Sequence, residues 1–472
     1  MPRQPMPDIV VLLPGITGSV LRKNGKVAWG FSGSTLARTL FTRGGHMKKA
    51  LFLEEDPQDV DDLEDGVVAD KLISDLHLLP GLWKIDGYTK VADAIKSRFD
   101  VEEGKNFFNF PYDWRRDNRV SARKLQRQSR EWLRSWREAS GHADAKLILI
   151  GHSMGGIVCR YFLEVLEGWR DSRALVTFGT PFRGSLTALD TLANGMRKGP
   201  FGLLDLSELS RSFTSIYQLL PIYTSYDAGS GSLVRVGETS GIPNVDAGKA
   251  SAALAFHREI EEAVESNRKL DDYRSRGYRI YPVVGISQET AQSARLKGKE
   301  VAMLGDYEGT NHRGDGTVPR VSATPIEYSD EGREMFAATR HASLQNADAV
   351  LTHLDGLISS LYFDLGGFRK PHLSPVQVDL EVEDLYWSSE PITLRARPGR
   401  EDVQLIAHVT NTATAMPVGV KQLVPDADGR HIATFDPPGE GAYEVIVSGG
   451  PDVEPVGDAF AVAGLDEVDV ES

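Results

Sequence analysis

The stretch "LILIGHSMGGIVCRYF", Leu147 to Phe162, constrains the fold of this chain more than any other. Four aliphatic residues run into a Gly-His-Ser-Met-Gly turn, and an apolar helix-like pattern follows. A sharp strand-to-helix turn forces its central residue into a strained backbone conformation. Glycines two positions before and after, Gly151 and Gly155, relieve the crowding around Ser153. The turn lifts the serine oxygen clear of the sheet, where a base can reach it. The helix that follows aims its first amides, Met154 among them, at the same point, which suits a developing negative charge. The expected feature is a nucleophile elbow.

The surrounding pattern agrees. Short apolar strands are expected at Ile9–Leu13, Asn106–Phe110, Leu147–Ile150, Leu175–Phe178, Tyr278–Gly285 and Met335–Ala338. Helices are expected at Thr89–Phe99, Val120–Ala139, Gly156–Glu167 and Asp348–Phe363. Continuous apolar strands separated by helices imply a mainly parallel sheet covered on both faces. Two segments are too long for ordinary connections: about 31–65, expected to form a lid, and about 185–273, expected to form a cap.

After Lys370 the rhythm changes. Alternating strands recur every ten to twelve residues, among them "VQVDLEV", "ITLRAR", "HIATF" and "AYEVIVSG", with turns such as "PDADG" and "PPGEG" between them. This is the pattern of a small all-β immunoglobulin-like sandwich, with Tyr443 placed either as a tyrosine corner or as a plain strand residue. Of the 67 acidic and 53 basic residues, 19 and 5 lie in 371–472, leaving 48 of each before it. The chain therefore divides into a neutral catalytic domain, 1–370, and an acidic sandwich with a short acidic tail, 371–472. An acidic unit of this kind argues against nucleic acid as a partner and suits a protein partner or self-association.

A serine needs a base, and the base needs an orienting carboxylate. Behind an elbow these follow in the order acid, then histidine. Asp315 in "HRGDGTVP" is the best acid, with Asp306 as the fallback. His341, in the loop after the strand in "MFAATRHASLQ", has the base's place in the order. His353 falls within a helix, His312 lies too close to Asp315, and His152 is expected to point away from the nucleophile. The second oxyanion amide belongs in the loop after the first strand, "VVLLPGITGSVL", at Ile16 with Thr17 as second choice; Met154 supplies the other.

No apolar run approaches the ~20 residues of a membrane-spanning helix. The N-terminus lacks a signal-peptide core, so a cytoplasmic location is expected, with peripheral membrane contact left open. A single cysteine, Cys159, excludes an internal disulfide and cysteine-based metal clusters. No metal and no cofactor is implied.

The motifs "PGITGS", "FPYDWR", "GHSMGG", "GTPFRGS", "SIYQLLP" and "GDGTVP", in this order, resemble the lecithin:cholesterol acyltransferase family, which includes lysosomal phospholipase A2. The resemblance covers roughly Asp8 to Leu365. It implies an α/β-hydrolase that cleaves or transfers acyl chains of glycerolipids, with the nucleophile on Ser153, the acid on Asp315, the base on His341 and an oxyanion position on Ile16. The family's secreted members close the lid with a disulfide, which this chain lacks, so its lid must be held differently. "FPYDWR" is expected to clamp a strand end, with Asp113 and Arg115 making charge-assisted bonds.

The leading reading is a serine-dependent hydrolase or acyltransferase of glycerolipid or phospholipid esters working through an acyl-enzyme. The alternatives are a soluble carboxylesterase for small esters, or a hydrolase effector recruited through its sandwich. The basic stretch Arg115 to Arg137, with nine bases and two acids, reads as the solvated face of a covering helix or as a dock for anionic lipid.

Overall fold

The computed structural model describes residues 3–30, 47–74, 87–198, 204–328, 334–362, 376–400, 402–450 and 453–464. The chain forms two compact units, 1–362 and 363–472. The expected boundary at Lys370 falls in 363–375, outside the described residues.

The first unit is built on six strands: β1 (Ile9–Leu13), β2 (Phe107–Asn109), β3 (Leu147–His152), β4 (Ser172–Phe178), β5 (Arg279–Gly285) and β6 (Met335–Ala337). Their order across the sheet is β6-β5-β4-β3-β1-β2, and every pairing is parallel. In β1 and β3 every residue is buried, because helices cover both faces and leave no solvated side to alternate towards. Those helices are α1 (Thr89–Arg98), α2 (Asn118–Ser140), α3 (Met154–Glu164), α4 (Leu186–Ala193), α5 (Ala247–Asn267) and α6 (Asp348–Ser360). Asp117 caps α2, its carboxylate accepting from the Arg119 amide, and Gly141 ends it in the left-handed region at φ 76°. Ser153 itself is the N-cap of α3. This is the covered parallel sheet that the strand and helix pattern implies, and the α/β-hydrolase architecture that the resemblance implies.

The segment between β4 and β5 contains α4, α5 and short strands at Thr224–Asp227 and Leu233–Arg235. These join Ser293–Lys297 and Glu300–Leu304 in a separate four-stranded sheet. Of the other long segment, 31–46 lies outside the described residues. Its remainder is tied down by arginines. The Arg115 guanidinium bonds Asp113, Asp65 and the Leu51 carbonyl. Arg116 bonds Asp56 and the carbonyls of Pro57, Val60 and Asp61. Arg123 and Arg127 reach Asp61.

The basic stretch therefore spends much of its charge inside the unit, and α2 is a covering helix. Leu125 and Leu133 are buried, and Trp132 stacks on Phe108 with ring centroids 4.1 Å apart.

The second unit is all β. Its strands are β7 (Val378–Glu381), β8 (Leu385–Trp387), β9 (Ile392–Pro398), β10 (Leu405–Asn411), β11 (Pro417–Pro425), β12 (His431–Phe435), β13 (Gly441–Ser448) and β14 (Val456–Ala463). They form one curled sheet in the order β7-β9-β12-β11-β10-β13-β14-β8. The inward residues of its two halves, Ile392, Leu394 and Phe435 with Leu405, Val445 and Phe460, share one core. The Tyr443 hydroxyl donates to the backbone carbonyl of Pro438 or Gly439, at 3.1 and 3.2 Å, which is the tyrosine-corner arrangement.

Candidate active site

The ends of the parallel strands deliver the site. Ser153 follows β3 with φ 52° and ψ −125°, the strained conformation expected of an elbow. Its amide donates to the Phe178 carbonyl at 2.9 Å, and its carbonyl accepts from the Thr180 hydroxyl. The tightness of the turn explains its glycines. A Cβ on Gly155 would stand 2.5 Å from the Pro14 carbonyl oxygen, and one on Gly151 would stand 2.7 Å from the Gly156 backbone.

His341 opens a short helical turn after β6, and its Nε2 lies 2.9 Å from Ser153 Oγ. Its Nδ1 lies 2.7 Å from Asp315 Oδ2. The other oxygen of Asp315 accepts from the amides of Thr317 and Val318 at 2.9 and 2.7 Å, which fixes the carboxylate. The Asp315 carbonyl also accepts from the His341 amide at 2.9 Å, so backbone and side chain hold the pair together. Asp315 is 1% exposed. A carboxylate so enclosed, facing Nδ1, orients the imidazole with Nε2 toward the serine.

Gly179 was not singled out in the sequence, yet the pair depends on it. It sits at the end of β4 with φ 57°, and a Cβ there would come 2.8 Å from Asp315 Oδ2 and 3.0 Å from His341 Nδ1.

The loop after β1 closes the site from the opposite side. Ile16 shares a cavity wall with Gly15, Ser153 and His341. Among the described residues the Ile16 amide finds no acceptor, and the Met154 amide, first in α3, has none within its helix. Both are available to an oxyanion. Thr17, with φ 63°, makes the bend, and its carbonyl accepts from the Trp29 indole. The "FPYDWR" segment holds this loop in place: Tyr112 donates to the Pro14 carbonyl at 2.8 Å and Trp114 to the Ser19 carbonyl at 3.0 Å.

His152, expected to point away from the nucleophile, lines the same cavity with its ring centroid 5.1 Å from that of His341, while the other candidates lie elsewhere. Asp306 accepts from the Gly309 amide in its own turn. His353 lies on α6, and His312 bonds Gln292 through its backbone. Ser153 is only 6% exposed and lines a cavity together with Pro181, Ala188 and Leu219. The cavity holds about 30 Å³ of free space.

Fold and site together define an α/β-hydrolase with serine, histidine and aspartate in hydrogen-bond sequence. Residues 82–267 match the lecithin:cholesterol acyltransferase family model, a segment that contains the elbow but neither Asp315 nor His341. The lysosomal phospholipase A and acyltransferase of Rattus norvegicus is 32% identical over 28% of this chain and 32% of its own length. The lecithin-cholesterol acyltransferase-like 4 protein of Arabidopsis thaliana is 33% identical over 20% of this chain and 18% of its own. The alignments thus span about a third or less of these relatives.

The resemblance read from the motifs is borne out over residues 82–267. The Bacillus licheniformis lipase BlEst2 in its propeptide form overlaps 98% of this chain and 95% of its own, at 14% identity and a TM-score of 0.35.

The expectation of a cytoplasmic location finds no support in the Rattus norvegicus relative, which is named as lysosomal. Among the described residues no helix is long and apolar enough to cross a membrane.

Proposed function

We propose that this protein is a serine-dependent acyl hydrolase or acyltransferase of glycerolipid and phospholipid esters that works through an acyl-enzyme. The observation that carries this reading is the unbroken hydrogen-bond sequence Ser153–His341–Asp315 beneath the Ile16 loop. The Ser153 oxygen attacks the ester carbonyl and its proton passes to His341 Nε2. Asp315, accepting from Nδ1, stabilises the imidazolium. The amides of Met154 and Ile16 receive the oxyanion. His341 then gives its proton to the departing alcohol, the ester bond breaks, and the acyl chain remains on Ser153. Water or a second alcohol, deprotonated by His341, releases it. The motif relatives, named as phospholipases and acyltransferases, support a lipid ester as substrate.

The small cavity favours a second reading, a carboxylesterase for short soluble esters. The cavity is narrow, about 30 Å³, with Ala188 and Leu219 in its lining.

One experiment addresses both. The protein is incubated with a mixed phospholipid and neutral-lipid extract and, separately, with acetate and butyrate esters, and the products are weighed by mass spectrometry. Long-chain lipid cleavage is expected, with Ser153→Ala and His341→Ala reducing it on the order of 10³-fold or more and His353→Ala leaving it intact. Turnover confined to short esters would favour the carboxylesterase. Full activity in Ser153→Ala would end the mechanism.

A further inference from the structure

Beside the three reacting side chains lies a second polar sequence that the reaction does not use. The Gly15 amide donates to the Tyr88 hydroxyl at 2.8 Å. That hydroxyl lies 2.9 Å from His152 Nδ1, and His152 Nε2 lies 3.1 Å from the His341 carbonyl oxygen. Both ends fix its polarity. The Gly15 amide can only donate and the His341 carbonyl can only accept. His152 therefore carries its proton on Nε2, and Tyr88 donates to the bare Nδ1 while accepting from Gly15. Burial supports the neutral ring, pushing His152 down to about 3 from its ordinary value near 6.5, with the facing His341 adding to the effect. Tyr88 and His152 are each 2% exposed.

A backbone link closes the circuit. The Gly87 carbonyl accepts from Gln345 at 3.1 Å and from Asn346 at 3.0 Å, both in the turn that His341 opens. Tyr88 is thus joined to the loop carrying Ile16 by its hydroxyl, and to the segment carrying His341 both through His152 and through its own backbone neighbour.

We propose that Tyr88 and His152 are positioning residues that hold the Gly15–Ile16 oxyanion loop and the His341 segment in one fixed relation. His152 packs its ring against that of His341, with centroids 5.1 Å apart, but the hydrogen bonds of both residues go to the Gly15 amide and the His341 carbonyl, so both act through groups that carry the reaction. The inference rests on the reading of Ser153 and His341 as the reacting pair.

Tyr88→Phe keeps the ring and removes only the hydroxyl. His152→Gln can keep a donor for the His341 carbonyl at the place of Nε2 and removes the Nδ1 ring nitrogen that accepts from Tyr88. Each variant and the pair are assayed with a soluble chromogenic ester, and the rate is divided by the number of sites that a fluorophosphonate labels, so that misfolded protein does not count. Removing one oxyanion donor outright costs about 10²–10³-fold, so loosening its loop is expected to lower kcat per labelled site by about 10- to 100-fold with KM within about twofold. The midpoint of the pH–rate limb set by His341 is expected to stay in place, and the double variant to lose no more than the worse single one, because both interrupt one sequence.

Unchanged kcat per labelled site, with only the labelled fraction or melting temperature reduced, would make the two residues structural and overturn the proposal. So would losses that multiply in the pair. A wild-type protein whose Ser153 takes no label would instead overturn the reading of the site itself, a distinct result.

Discussion

His257 shows how far burial reaches beyond the site. It lies inside α5 with Nε2 2.8 Å from the Gln218 carbonyl, and burial pushes it down to about 4. The folded protein then refuses a proton that the unfolded chain accepts below about 6.5. Stability is full above that value and falls as pH drops towards 4, by up to about 1.4 kcal/mol per pH unit for one such histidine. His152 acts in the same direction down to about 3. His257→Gln keeps a donor for the Gln218 carbonyl and removes the titration. Urea unfolding at pH 7, 6, 5 and 4.5 is expected to show a slope shallower by close to one proton in the variant. Equal slopes would mean that His257 is protonated in the fold.

Residues of this kind separate what sequence can reveal from what it cannot. Ser153, Asp315 and His341 stand out because each sits in a short motif at a strand end and the three come in a fixed order. Ile16 was reachable by the same logic, since the loop after the first strand faces the elbow. Tyr88 carries no motif. Its significance lies in contacts with residues 64 and 73 positions away. Gly179 ends a strand in a "GTPFRGS" stretch that marks a turn, but only the positions of Asp315 and His341 show why a side chain has no room there.

At the scale of elements, the core strands are legible because burial on both faces makes them continuously apolar, and the six observed strands fall within three residues of the expected ends. β8 was missed. Its three residues, "LYW", are too short for alternation to register, and the strand exists through parallel pairing with β14 late in the chain. The means of holding 47–65 was legible only as a need, since a chain with one cysteine can have no disulfide there.

The structure meets that need with arginines from the start of α2 and the turn before it. Exposed pairs such as Arg127 with Asp61 contribute little. Arg116 and Asp56 are different: both side chains are about 5% exposed or less, and Arg116 also satisfies three carbonyls of the 57–61 turn. Arg116→Met leaves the Asp56 carboxyl buried without its cation and is expected to cost about 3 kcal/mol or more. Hydrogen exchange should rise first at 54–65. A variant with wild-type stability and unaltered exchange there would show that this turn is held by something else.

At the scale of the molecule, the acidic excess of 371–472 lies within the second structural unit, 363–472. The sandwich encloses its own core, from Ile392 and Leu394 to Phe460 and Val462, and contains none of the reacting residues. Among the described residues, the two core clusters that cover the parallel sheet lie within 1–362. Two units that each bury a core of their own are expected to fold apart. A chain ending at Lys370 should therefore remain soluble and turn over a small soluble ester at close to the full-length rate.

What the truncation should lose is an association, since 19 acidic residues against 5 basic suit a protein contact better than an approach to anionic phospholipid. Light scattering, thermal melting and soluble-ester kinetics on the two lengths separate the outcomes. Equal kcat with a changed molecular mass, or with a partner no longer bound, fits a recruiting or self-associating sandwich. An insoluble truncation, or a folded one that has lost turnover, would mean that the sandwich completes the catalytic unit, and the acidic segment 371–472 would then have to be read as part of the enzyme.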